Sequence, residues 1–86
     1  MNNITHEQFA TMNAHLVLAR QILSKDYNAT IDSCNVFIKG DKLICEISQQ
    51  NIPSDGIMYL NDELRSRIHN HPDDKIRDNS VLVEFV

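Results

Sequence analysis

The chain has no tryptophan, and only two glycines, two prolines and two cysteines among its 86 residues. Each shortage excludes something. Gly40 and Gly56 cannot build a Gly-rich phosphate loop, and neither a Walker sequence nor a G-x-S-x-G elbow is present. There is no Pro/Gly-rich linker, low-complexity tract or internal repeat, so residues 1–86 read as a single domain. A secreted domain of this size usually carries four or more cysteines. Cys34 and Cys45 instead fit a reducing compartment, as small buried hydrophobes. Apolar runs reach four residues, as at Leu16 to Ala19, against the ~20 needed to cross a bilayer. The opening Met-Asn-Asn-Ile-Thr-His-Glu lacks the basic start and apolar centre of a signal peptide. A cytoplasmic location with no membrane partner is expected.

The net charge is −4, and no segment is strongly basic, which disfavours a nucleic acid partner. The acidity is too mild and dispersed for DNA mimicry. Asparagine (nine) and isoleucine (ten) are abundant, a bias that suits an AT-rich bacterial or phage gene. A chain this short buries roughly 62–65% of its unfolded surface, enough for one core of about a dozen side chains. Stability on the order of 4–13 kcal/mol follows. An enclosed active-site pocket would remove packing from a core with little to spare.

The first helix has a well-specified start. Thr5 and Gln8 have the spacing of a capping box, and Ile4 and Phe9 that of a hydrophobic staple. Phe9, Met12, Leu16, Ala19 and Leu23 form one apolar stripe. Ala14, Leu18 and Ile22 form a second on roughly the opposite side, and this surplus asks for a partner. His15 lies on a flank between the stripes, half-buried. Lys25 suits the C-terminal end of the dipole, and Asn28 can close the helix in the left-handed conformation.

Lys39-Gly40-Asp41-Lys42 reads as a hairpin with a two-residue II′ turn. The register then sets Ile38 opposite Leu43, Phe37 opposite Ile44, Val36 opposite Cys45 and Cys34 opposite Ile47. One face collects Cys34, Val36, Ile38, Leu43, Cys45 and Ile47, all apolar, which supports the register. It also makes Cys34 and Cys45 diagonal neighbours, about 7–8 Å apart and too far for an undistorted disulfide. Phe37 and Ile44 pair on the polar face, either half covered by a loop or as part of a binding patch. Pro53 to Gly56 is a turn. Ile57 to Leu60 reads as a short strand, with a helical stripe Ile57, Leu60, Leu64 and Ile68 as the alternative. A helix capped at Asn61 would stop near Asn70, before Pro72. Asp73 to Asn79 is a charged loop or a further turn around Ile76. Ser80 to Val86 is a strand, apolar on both sides, and so central in the sheet or covered at an interface.

The architecture expected is α+β in the order α-β-β-(β)-α-β. A three- or four-stranded antiparallel sheet packs the N-terminal helix, through Phe9, Met12, Leu16 and Leu23, onto the Cys34/Val36/Ile38 face.

For chemistry, His69 and His71 with Asp73 are the one cluster resembling a metal site, against a solvated helix end that needs no ion. A Cys–His nucleophile from Cys34 or Cys45 with His15 is disfavoured, because the register points both thiols inward. Arg65, Arg67, Lys75 and Arg77 sit among acidic residues that can pair them locally. No cofactor is expected. The reading is a non-enzymatic protein-binding module, a bacterial or phage accessory protein that docks on a larger protein and modulates or inhibits it. Candidate contact residues are Leu18, Ile22, Phe37, Ile44, Arg65 and Tyr59. The alternatives are a homodimeric structural or assembly protein, and a small metal protein or enzyme centred on His69, His71 and Asp73.

Overall fold

The computed structural model describes residues 4–49 and 52–86. Its elements are helix α1 (His6–Asp26), strands β1 (Ile31–Lys39) and β2 (Lys42–Gln49), helix α2 (Ser54–His69) and strand β3 (Val81–Phe85). The α+β order α-β-β-α-β is as the sequence implies. No helix among the described residues is long and apolar enough to cross a membrane.

The capping box forms. The Gln8 N–H donates to Thr5 Oγ1 at 3.2 Å, and the Thr5 N–H donates to Gln8 Oε1 at 2.9 Å. At the other end Asn28 takes the left-handed conformation (φ 50), and the Ala29 N–H donates to the Leu23 carbonyl at 3.0 Å. Between these ends the buried face differs from the expected stripe. It comprises Gln8, Thr11, Met12, His15, Ala19, Ile22 and Leu23, whereas Phe9 is exposed and Leu16 only half-buried. The cause is polar. The Gln8 Nε2–H donates to Ser80 Oγ at 3.0 Å, Thr11 Oγ1 donates to the Lys75 carbonyl at 2.9 Å, and His15 Nε2 bonds the Ile76 carbonyl. These bonds offset the desolvation of three polar side chains and rotate them inward, His15 included.

The hairpin register is the expected one, from Lys39↔Lys42 to Cys34↔Ile47, with an irregularity between Ile31 and Ser33. Gly40 has φ +63, and no positive φ occurs at Asp41, as a II′ turn requires. Ile57 to Leu60 is helical, a correction to the strand reading, and the optional fourth strand is therefore absent among the described residues. The helix starts after Pro53, and the Gly56 N–H donates to the Pro53 carbonyl at 2.9 Å. A Cβ at Gly56 would meet Ile52 Cγ2 at 2.8 Å, so a larger residue in this first turn would have to displace the Ile52 side chain. Leu60 and Leu64 then fall on one buried face, and the helix ends before Pro72 as expected.

The sheet has the order β1-β2-β3. β3 pairs with β2 in parallel, Leu43↔Val81 through Ile47↔Phe85, so the sheet is mixed and β3 is an edge strand rather than a central one. Leu43, Cys45, Ile47, Val81, Val83 and Phe85 share one face and are buried beneath the helices with Ile22, Leu23, Leu60 and Leu64. β1 contributes nothing fully buried. The expected packing of α1 on Cys34, Val36 and Ile38 does not occur, because β3 lies on the far side of β2 and draws the helix layer over the β2–β3 pair.

Ile22 is therefore a core residue. Ile22→Ala is expected to cost about 2–5 kcal/mol in urea unfolding. Val17→Ala, on the exposed side of α1, should stay within about 0.5 kcal/mol. Equal costs for the two would contradict this placement of α1.

Candidate functional site

A two-residue hairpin turn makes its flanking residues, Lys39 and Lys42, a hydrogen-bonded pair. Bonding alternates along an antiparallel ladder, so Phe37–Ile44 and Asn35–Glu46 are bonded as well. The backbone N–H and C=O groups of Cys34, Val36 and Ile38 then point away from β2. Among the described residues no other backbone group bonds them. Their side chains lie on the helix side of the sheet, where nothing covers them. Val36 is 44% exposed and Ile38 47%, whereas Leu43, opposite Ile38, is 1% exposed. On the other face Phe37 is also exposed, in a row with Ile44 and Leu82 across all three strands. The Val36-Phe37-Ile38 run of β1 is thus open on both faces and along one edge.

The opposite edge of the sheet is guarded. The Leu43 N–H donates to the Ser80 carbonyl, and the Val86 N–H to the Ile47 carbonyl. By alternation, the backbone groups of Val81, Val83 and Phe85 face outward from β3. Asn61 on α2 takes up those of Phe85. Its Nδ2–H donates to the Phe85 carbonyl at 3.0 Å, and its Oδ1 accepts the Phe85 N–H at 2.8 Å. Beside Val81 and Val83 runs a groove of about 550 Å³ lined also by Asp62, Arg65, His69 and Arg77. Charged side chains of this kind discourage strand pairing. A second cleft, about 560 Å³, separates α1 from the start of β1 and is lined by Val17, Arg20, Leu23, Ala29 and Ile31 among others.

The residues expected to bind a partner do not converge. Leu18 is half-buried against the core. Ile22 is fully enclosed, which removes it from any contact surface. Phe37 is exposed, but Ile44, 7% exposed beside Phe37 and Leu82, offers little of itself. Arg65 lines the β3 groove, and Tyr59 is 69% exposed on α2 next to the equally exposed Met58. Hydropathy alone places Val36, Ile38 and Cys34 in the core. The signal that could have singled them out is the unbroken Val-Phe-Ile run. It is apolar toward both faces in a strand with a hairpin turn on one side only.

His69, His71 and Asp73 do not come together as a ligand set. The Asp73 N–H donates to His71 Nδ1 at 3.1 Å, and no group of three or more His, Cys, Asp or Glu converges among the described residues. Cys34 is exposed, not buried as expected, and both cysteines are free thiols. Burial, then the neighbouring Cys34, pushes the Cys45 thiol up to about 11, which disfavours the thiolate a nucleophile needs. Of the basic cluster, Arg67 pairs with Glu63 at 2.9 Å and Asp26 at 3.5 Å, and Arg77 pairs with Asp74. Such surface pairs contribute little stability. No family model matches the chain, and no curated protein and no solved structure matches it either.

His15 is 2% exposed, and its Nδ1 is buried without a partner. Desolvation pulls its pKa below the ordinary value, against smaller upward pulls from the Ile76 carbonyl and Asp78. The unfolded chain takes up this proton near about 6.5 and the folded chain only at lower pH. Its contribution to stability is therefore intact above that value and is lost as the pH falls below it. Urea unfolding at pH 7.5 and 5 is expected to show a larger loss for the wild type than for His15→Gln. Parallel losses in the two proteins would remove His15 as the cause.

Proposed function

We propose that this chain is a non-enzymatic protein-binding module, an accessory protein of bacterial or phage origin. It docks on a larger protein through β1 and modulates or inhibits it. The observation that carries this reading is the open strand. β1 presents backbone donors and acceptors along a free edge, flanked by exposed Val36, Phe37 and Ile38. An edge strand that exposes a Val-Phe-Ile run is an aggregation hazard unless something pairs with it. Strand addition supplies affinity through main-chain bonds and specificity through alternate side chains, the arrangement on offer here. Two thiols and no disulfide suit a cytoplasmic setting. The surplus apolar surface includes Val36, Phe37 and Ile38 on β1, whereas Ile22 on the second stripe of α1 is enclosed.

The experiment is affinity capture from host lysate with the intact chain as bait. Ile38→Lys places a charge on the open edge while leaving the core untouched, and capture should fall at least about tenfold. Met58→Lys, on the exposed side of α2, should leave capture unchanged. Capture that survives Ile38→Lys would end the assignment of docking to β1.

A further inference from the structure

We infer that the partner of β1 is a second copy of this chain, paired antiparallel about a two-fold axis through Val36. This rests on the reading of β1 as a docking strand: the second copy takes its main-chain edge, and the larger protein then docks on the exposed side chains of the paired strands.

The outward-facing backbone groups fix the geometry. An antiparallel partner must set Cys34, Val36 and Ile38 against outward-facing residues of its own. Centring the axis on Val36 satisfies all three. Val36 meets Val36 of the second copy, and Cys34 meets Ile38 twice. Six apolar side chains that are exposed in one chain then form a continuous row on the helix side. On the other face Phe37 lies opposite Asn35. An axis through Asn35 would instead set Ile38 against Asp32, inside the irregular stretch between Ile31 and Ser33.

Charge selects the same direction. Parallel pairing would set Lys39 of one copy beside Lys39 of the other, which is unfavourable across a sheet, whereas the antiparallel register sets Lys39 opposite Ser33.

The two sheet edges explain why assembly stops at two. Pairing through β1 consumes both open edges and makes a six-stranded sheet. Its new borders are the two β3 edges, where Asn61 holds the Phe85 backbone and Asp62, Arg65 and Arg77 stand alongside. A two-fold contact of this kind is isologous and closed. The trough left between the two α1 helices carries Val36, Ile38 and Cys34 from each chain at its floor, and gives a larger partner protein a symmetric apolar surface.

Analytical ultracentrifugation from about 1 to about 100 µM, the range that resolves micromolar association, tests the inference. The wild type should sediment at twice the 9.9 kDa chain mass. Val36→Lys, which sets two lysines against each other on the axis, should sediment at 9.9 kDa with the wild-type far-UV circular dichroism. Hydrogen exchange on the wild type requires no variant. The amides of Cys34, Val36 and Ile38 should be protected at high concentration and lose protection on dilution. A wild type that stays monomeric at about 100 µM overturns the inference, and so does a dimer in which these amides exchange as freely as those of an exposed turn. The docking reading fails or stands separately. A monomer whose lysate capture is lost on Ile38→Lys keeps β1 as a docking strand and removes only the second copy.

Discussion

β2 and β3 run in the same direction, and most of the structure follows from that. Parallel strands cannot be joined by a tight turn, so the chain must leave the sheet after Gln49 and return at Val81. α2 fills that crossover. Its Leu60 and Leu64 reach the buried face of the parallel pair, and its Asn61 reaches the Phe85 backbone at the sheet's border. α1 covers what remains of β2 and β3 and leaves β1 outside. A hairpin whose inner face would ordinarily be all core is therefore split down the middle. Leu43, Cys45 and Ile47 are enclosed, while Ile38, Val36 and Cys34 opposite them are open.

The second organising contact is the polar grip of α1 on the segment before β3. Gln8, Thr11 and His15 lie along one side of the helix and bond Ser80, Lys75 and Ile76 in turn. Ser80 is itself held by Asp78, whose carboxyl is kept below its usual range chiefly by the hydrogen bonds from Ser80. Each net hydrogen bond contributes only about 0.5–1.5 kcal/mol, but leaving a buried partner unmet costs about 1–3 kcal/mol. The grip therefore fixes where β3 begins more than it adds to total stability. The short antiparallel hairpin and the long-range parallel pairing are thereby tied to the same helix.

Local features were legible in the sequence because their causes are local. The Thr5/Gln8 capping box, the left-handed Asn28, the Gly40 turn and the stop before Pro72 each depend on residues within a few positions. The hairpin register followed from alternation and turn length. What was not legible depends on distant chain. Gln8 reads only as a cap and His15 as a flank residue, because their acceptors lie more than sixty residues away. Ile57 to Leu60 fits a strand or a helix by hydropathy, and the glycine fit against Ile52 and the Asn61 bridge to Phe85 belong to the helix alone. The direction of β3 is invisible in five apolar-rich residues. Without it the position of the helix layer, and so the exposure of β1, could not be derived. Of the candidate contact residues, Phe37 retains its place on β1, whereas Ile22 became core once α1 rotated by its polar contacts.

An uncovered β1 beside a sealed β2 has a chemical signature, because each strand carries one cysteine. Thiol alkylation of the dilute native protein, followed by intact-mass spectrometry, reads it directly. Rapid uptake of one label, at Cys34, is expected, with Cys45 modified only when the chain is unfolded in urea. Two labels at similar rates in the folded protein, or none at all, would contradict the offset of the helices from β1.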